Sequence, residues 1–456
     1  MKNVLLNRQI GLILDTHAPS IFGIRLKIAS LDDLTYMFTP LMLDEVRISQ
    51  NFERNICDDI TVGFQISYKE YAELYEHQSS LIASLTFEYR DEAGRPVPQY
   101  TDIFRKYRAV LIDPVDIMKQ IPDALNRDVL DTRIKIRLIE NTVYDLRLKK
   151  LNTIFTGTTV EDALKHVTKA FGINKIHMVP PDNIQKLEHL IIPPVKGFDE
   201  CYNFIHEKYG VYMQGIIAYI TDDTLFVYPP FDTTPKSDRT MTVYQADIGD
   251  FTGVTSMYML SDIALSIVTN KVGKILDLAT LGSENKGTNH TFMRGSAMIN
   301  GVVEPSVGKN DIQFKNDIIL SMSLKNTKMI NPDSQNTVYH NTPTDNPFVL
   351  ASRLSETQAT LLDFEWIRAI PFCVDPGMQV VYYSDVGGEM SIRYGILEAI
   401  QYAFQRTDRS AYGENFVGVA NVTLRLSPMA NITGTDNVKT KEDNPIITTK
   451  NILKNF

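Results

Sequence analysis

The feature that most restricts what this chain can fold into is a period-two alternation of apolar and polar residues through its first 150 positions. Ile24-Arg25-Leu26-Lys27-Ile28 sends its apolar side chains one way and its basic ones the other. The pattern returns in Ile60-Thr61-Val62-Gly63-Phe64-Gln65-Ile66, in residues 81–89, in Arg133-Ile134-Lys135-Ile136-Arg137-Leu138 and in Leu146-Arg147-Leu148-Lys149. Alternation of this kind marks strands with one buried and one wet face, as in antiparallel sheets and barrels. Asp91-Glu92-Ala93-Gly94-Arg95-Pro96 has turn residues between two of them. A single short helix interrupts, with Tyr68, Tyr71, Ala72 and Tyr75 at helical spacing. Residues 1–150 are therefore expected to form a β-barrel or sandwich domain.

The periodicity then changes. Thr158 precedes Glu161 by three positions, the spacing of a capping box at a helix start. Val160, Ala163, Leu164, Val167 and Phe171 share one face of that helix, and Gly172 stands where a left-handed cap is wanted. A second helix is expected over 198–209, with Phe198, Cys201, Tyr202, Ile205 and Tyr209 on its apolar side and Gly210 beyond. Residues 211–220 read as a strand, Thr221-Asp222-Asp223-Thr224 as a tight turn and 225–228 as the return strand. Pro229-Pro230 ends the hairpin, because proline cannot donate to a ladder. Residues 151–235 are thus an α+β unit of two helices and a hairpin.

From 236 to 428 the β pattern resumes. Strands are expected at 241–244, 254–260, 264–268 and 318–323, then an amphipathic helix over 348–362. A long hairpin pairs 378–383 with 390–404 around Ser384-Asp385-Val386-Gly387-Gly388, and a last strand runs over 417–426. Two polar passages, 282–289 and 326–347, read as long surface loops. The final stretch, 429–456, is rich in Asn, Thr, Lys and Asp and holds too little apolar surface to fold alone, which fits a tail or arm that orders on a partner.

Composition excludes several classes. With 43% hydrophobic and 22% charged residues the chain is an ordinary globular one. No apolar run approaches the ~18 residues a membrane helix needs, and no secretory signal opens the chain, so a soluble, non-exported protein is expected. The net charge of -9 is not that of a protein built to grip phosphates. Cys57, Cys201 and Cys373 are too scattered for a disulfide framework or a Cys-rich metal site, and read as small buried hydrophobes.

Motif chemistry is sparse. Neither Gly-x-Gly-x-x-Gly nor Gly-x-Ser-x-Gly occurs, and Gly282-Ser283-Glu284-Asn285-Lys286-Gly287-Thr288 lacks the lysine of a phosphate loop. His206-Glu207 begins like a zinc-protease motif, but Gly210 stands where the second ligand belongs. Asp222-Asp223 is the most conspicuous carboxylate pair, and a hairpin turn favours Asp for its own backbone bonds. The basic stripe Arg133, Lys135, Arg137, Arg147, Lys149 and Lys150 has Asp131, Glu140 and Asp145 among it and no interleaved aromatic platform. It reads as the wet side of neighbouring strands, with a nucleic-acid face or a subunit contact as the other readings. No catalytic, cofactor or metal residues are assigned, and no cofactor is expected.

One family shares the central features. Val160 to Gly172, Ile192-Pro193-Pro194, the second helix ending in Tyr209-Gly210-Val211-Tyr212, and Asp222-Asp223-Thr224-Leu225-Phe226-Val227-Tyr228-Pro229 together resemble the baseplate (tail) hub proteins of contractile-tailed bacteriophages, related to late-control and spike-base proteins of contractile injection systems. Ala369-Ile370-Pro371, Asp375-Pro376-Gly377 and Val380 before the long hairpin are similar to that family's second β domain. The resemblance implies a mainly β chain with two tail-tube-like antiparallel β-barrel domains and an α+β insertion between them. It implies a non-enzymatic homotrimer that adapts a sixfold tail tube above to a threefold spike below. The homotrimer would contact other baseplate proteins and let DNA pass without specific binding. Such a protein belongs in the virion and is assembled in the host cytoplasm. The chain carries no repetitive spike or lysozyme-like segment, so a tip or lysin is expected to be a separate chain. Two alternatives remain open: a glycan or peptidoglycan hydrolase whose carboxylates lie far apart in sequence, and another tail component such as a distal tail protein or adhesin.

Overall fold

The computed structural model describes residues 21–112, 132–230, 239–245, 256–260, 264–269, 272–277, 296–298, 319–321, 346, 348–349, 352, 360–386, 389–410 and 413–426, apart from positions 34, 41, 92, 99, 147 and 148. The expected loop at 282–289, most of that at 326–347 and the tail at 429–456 lie outside these residues.

In strand β1 (Ile21–Ser30) the alternation turns directly into faces. Phe22, Ile24, Leu26 and Ile28 are buried, while Arg25 and Lys27 are exposed. The first β region continues with β2 (Met37–Phe38), β3 (Leu43–Asn51), β4 (Asp59–Ile66), β5 (Leu81–Arg90), β6 (Ile103–Ile112) and β7 (Thr132–Glu140). Helix α1 (Tyr68–Glu76) joins β4 to β5 and starts on a complete capping box. Ser67 Oγ accepts the Glu70 amide, and Glu70 Oε2 accepts the Ser67 amide.

The insertion comprises α2 (Asn141–Leu146), β8 (Lys150–Thr159), α3 (Val160–Phe171), β9 (Lys175–Met178), β10 (Lys186–Gly197), α4 (Phe198–Tyr209), β11 (Ile217–Thr221) and β12 (Thr224–Tyr228). Both expected helices are present, and Val167 and Ile205 on their inner faces are fully buried. The cap of α3 lies one residue later than its sequence spacing implied: Thr159 Oγ1, not Thr158, accepts the Asp162 amide. Gly172 closes the helix at φ 92°, the left-handed conformation only glycine adopts freely.

Other differences have local causes. Leu146 ends helix α2 and is not in a strand, because Val143 and Leu146 are buried one helical turn apart. A four-residue alternation is too short to distinguish the two periods. The strand expected over 211–220 forms only at 217–221, since Gly210 and Gly215 both take positive φ and turn the chain between them. Strands β8 and β10 were not anticipated; they pair into a two-stranded ribbon behind the helices.

The second β region contains β13 (Thr240–Gln245), β14 (Ser256–Leu260), β15 (Ala264–Thr269), β16 (Val272–Asp277), β17 (Ser296–Met298), β18 (Ile319–Ser321), β19 (Thr360–Ile367), β20 (Gln379–Val386), β21 (Glu389–Ser410) and β22 (Gly413–Leu426). The helix expected over 348–362 gives way to strand β19 at Thr360. There Leu362, Phe364 and Trp366 point inward at period two and pair with β22.

The mainly β character expected from the sequence is what the structure has. Strands β21, β3, β4, β7, β6, β5, β1 and β22 follow one another, and β22 pairs back to β21, so eight antiparallel strands close a ring. A second run of eight, β14, β15, β13, β20, β21, β22, β19 and β16, shares the β21–β22 hairpin. Within it β13 runs parallel to both β15 and β20. Tyr258 of β14 packs edge-on to Trp366 of β19, 5.5 Å between ring centroids, drawing the ends of this run together.

The 22-residue β21 serves both runs in succession. Its residues 389–396 pair with β20, and residues 399–405 pair with β3. A register shift between Leu397 and Ala399 marks the changeover, as a bulge bends a strand and raises its twist. Buried residues of both β regions consequently form one apolar cluster, whereas the insertion has its own. Among the described residues no helix is long and apolar enough to cross a membrane.

Candidate functional site

Two buried polar constellations stand out, and both lie where separate parts of the chain meet. The first is the joint between the insertion and the closed ring. Hairpin β11–β12 straddles the two cores: Ile217, Tyr219 and Tyr228 belong to the ring's cluster, and Ile220, Leu225 and Val227 to the insertion's. Its turn is Asp222-Asp223, with φ of 50° and 57°, the double left-handed geometry of a two-residue hairpin loop. This agrees with the turn reading of that carboxylate pair, and it also gives the pair partners. The Asp223 amide donates to Glu140 Oε1 at 2.8 Å, at the end of β7. Thr142 Oγ1 donates to Asp223, and Arg105 of β6 forms an ion pair with Asp222.

The chain between β3 and β4 docks on the same hairpin. Ile220 N donates to Ile56 O at 2.7 Å, and Cys57 bridges to Ile220. Next to them Asp58, 8% exposed, accepts the Tyr219 hydroxyl at 2.6 Å and the Gln50 amide at 2.9 Å. Burial pushes the Asp58 carboxyl above the usual carboxylate range, although both hydrogen bonds pull it down. Burial likewise pushes Glu140 up to about 7. A cleft of about 230 Å³, lined by Asn55, Cys57, Asp58, Arg137, Tyr202 and Ala218 among others, opens beside the joint.

The second constellation sits at the changeover of β21. Arg425, 2% exposed, donates from Nε to Glu398 at 2.6 Å and from an η nitrogen to Glu53 at 2.7 Å. Glu398 lies inside the register shift, and its carbonyl accepts the Phe52 amide. One guanidinium thus ties the shared hairpin to the end of β3. A further buried arginine, Arg90, binds Glu88 within β5 and reaches Asn415 Oδ1 and the Glu414 carbonyl of β22.

The remaining candidates fall into place as structural groups. On the basic stripe, Arg133 meets Asp44 at 3.3 Å and Lys135 meets Glu45 at 2.7 Å, both across β4 on β3, and Arg137 meets Asp59 of the neighbouring β4 at 2.7 Å. Lys149 donates to the Phe171 carbonyl at the end of α3, where a cation suits the helix dipole. Lys150 begins β8, Asp145 is exposed on α2, and Arg147 and Asp131 lie outside the described residues. Glu140 belongs to the joint, not to the stripe. His206 is buried at the end of α4, its Nδ1 accepting the Val211 amide at 3.3 Å, and burial lowers its pKa to about 4. Glu207 is exposed. The three cysteines are buried free thiols. Among the described residues no three His, Cys, Asp or Glu side chains converge as a metal site would require. Sequence reasoning missed Asp58, Arg105 and Arg425, because pairing across more than a hundred residues leaves no local pattern.

No curated protein matches the chain. The chain is similar to the tail protein from Neisseria meningitidis MC58 (TM-score 0.43, 11% identity, covering 88% of this chain and 96% of that one). It is similar to a chain of the Francisella PdpA–VgrG complex (TM-score 0.40, 9% identity, 95% of this chain), of whose length it spans 57%. It is also similar to the E. coli c3393 protein, described as a type VI secretion component resembling T4 tail proteins gp27 and gp5 (TM-score 0.39, 8% identity, 89% and 77% covered). A family model matches residues 6–237, a span that takes in the first β region and the insertion joined to it and exceeds half of the chain. On that match, the chain belongs to the family of the bacteriophage PBS1 gene 109 protein.

Proposed function

We propose that this protein is a structural baseplate hub of a contractile phage tail, acting as a trimer that adapts a sixfold tube to a threefold spike and lines part of the DNA conduit. The observation that carries this reading is the shared hairpin. Because β21 and β22 are strands of both eight-strand runs, each chain holds a closed ring and a second eight-strand β unit in one fixed relation. Three chains would then offer six such units to a hexameric tube. Membership of a bacteriophage family supports a virion component, which would be assembled in the host cytoplasm. A net charge of -9 suits a passage through which DNA slides, since phosphate contacts would hold it.

The polar constellations support a structural role over a hydrolytic one. Buried carboxylates with raised pKa values are what catalysis uses, but here the Asp58 and Glu140 oxygens accept from Tyr219, Gln50 and the Asp223 amide. Those are bonds that fasten one part of the fold to another. Co-expression with the tail tube and spike proteins of the same phage is the test. Co-purification with both is expected, and a chain that ignores both partners contradicts the reading.

A further inference from the structure

We infer that the insertion is fastened to the closed ring by a proton-dependent clasp, in which Asp58 and Glu140 on the ring side grip Tyr219 and the Asp222-Asp223 turn, and which tightens as a proton is taken up.

Four carboxylates from three separate segments meet at this joint: Asp58 before β4, Glu140 at the end of β7, and Asp222 and Asp223 in the hairpin turn. Among the described residues the cation that acts on both Asp58 and Glu140 is Arg105, which pairs with Asp222 and stands over the Phe372 ring at 5.3 Å, while Arg54 lines the cleft beside Asp58. The other polar groups that face Asp58 and Glu140 among the described residues include Gln50 of β3, Cys57, Tyr107 of β6, Thr142 of α2, Tyr219 of β11 and Tyr402 of β21. The nearest further ion pair, Arg137 with Asp59, balances itself on the rim of the cleft. Asp222 and Asp223 stay exposed in the turn, so the carboxyls that the closed joint buries are those of Asp58 and Glu140. Asp58 lines the cleft beside the joint.

Opening the joint returns both carboxyls to water. In the closed form burial raises both of them, Glu140 to about 7 from an ordinary 4.5. A carboxyl raised on closure makes closure strongest below its open-state pKa and weaker as pH climbs to its closed-state pKa. For Glu140 that window runs from 4.5 to about 7. Over it the closing equilibrium falls by up to about 300-fold, and Asp58 adds in the same direction. The accepted hydrogen bonds survive protonation, because each can be received by the oxygen that keeps no proton.

The test is hydrogen exchange of the full-length protein, read on peptides covering β11–β12 and normalised to β5 in the same sample, from about pH 5 to about pH 8. Corrected for intrinsic amide chemistry, hairpin opening should rise on the order of 100-fold across that range in the wild type. Glu140→Gln, which keeps the acceptor oxygen, should flatten most of the rise. Asp58→Asn is the second variant should Glu140→Gln not fold. A wild-type hairpin whose opening does not change with pH overturns the clasp. So does an unaltered pH profile in a folded variant.

Discussion

The Tyr219 hydroxyl donates to Asp58 at 2.6 Å across 161 residues of sequence, joining the insertion hairpin to the strand entry of the closed ring. Both groups are buried, so removing the donor takes away one of the two side-chain hydrogen bonds that Asp58 accepts, the other coming from Gln50. Tyr219→Phe keeps the ring that packs 4.8 Å from Phe52 and loses only the hydroxyl. Urea unfolding should show a loss of about 1–3 kcal/mol. In the Asp58→Asn background the same substitution should cost clearly less, since the two groups are coupled.

The shared hairpin depends on close backbone approach at one glycine. A Cβ at Gly395 would strike the Arg425 carbonyl, which cannot move without breaking the β21–β22 ladder. At Gly63 the neighbour is the flexible Glu45 side chain, 3.1 Å away. Gly395→Ala should therefore destabilise by more than about 2 kcal/mol, and Gly63→Ala by less than about 1 kcal/mol. Equal effects at the two positions would show that the ladder is not the constraint.

Arg425 between Glu53 and Glu398 is a buried cation with two carboxylates. Arg425→Met should cost about 3–5 kcal/mol, because it strands buried negative charge. Burial already holds the Glu398 carboxyl above its usual range, so its contribution shrinks as pH rises through that window. Without the guanidinium the carboxyl rises further. The variant should recover part of its stability on acidification, which urea midpoints at two pH values would reveal.

His206 behaves in the opposite sense. Burial lowers its pKa from 6.5 to about 4, so the folded state gives up a proton that the unfolded state keeps. The neutral ring's contribution is complete above 6.5 and is lost as pH falls toward 4, a difference of about 3 kcal/mol. His206→Asn, whose side-chain oxygen replaces Nδ1 as acceptor for the Val211 amide, should remove that acid sensitivity. Its stability relative to wild type should improve steadily between neutral and acid pH.

How far the sequence could be read depended on distance along the chain. The inward positions of β1 and the faces of α3 were legible because burial there follows a fixed local period. The Asp222-Asp223 turn was legible because Asp tolerates positive φ. The sharing of β21 between two runs was not, since a 22-residue alternation looks alike whether it pairs with β20 or β3. Nor was the parallel course of β13, which pairing partners decide. The alternation Leu146-Arg147-Leu148-Lys149 misled because four residues are too few to tell the two periods apart, and Leu146 ends a helix instead. Asp58 and Glu140 were hidden among 55 acidic residues until the fold brought them against the hairpin.

The direct test of the central claim is the symmetry of the assembled particle. Electron microscopy of the purified protein, alone or with the proposed tube and spike partners, should show three chains about one axis, with six β units toward the tube. A particle without a threefold axis, or a chain that stays monomeric with both partners present, would contradict the account.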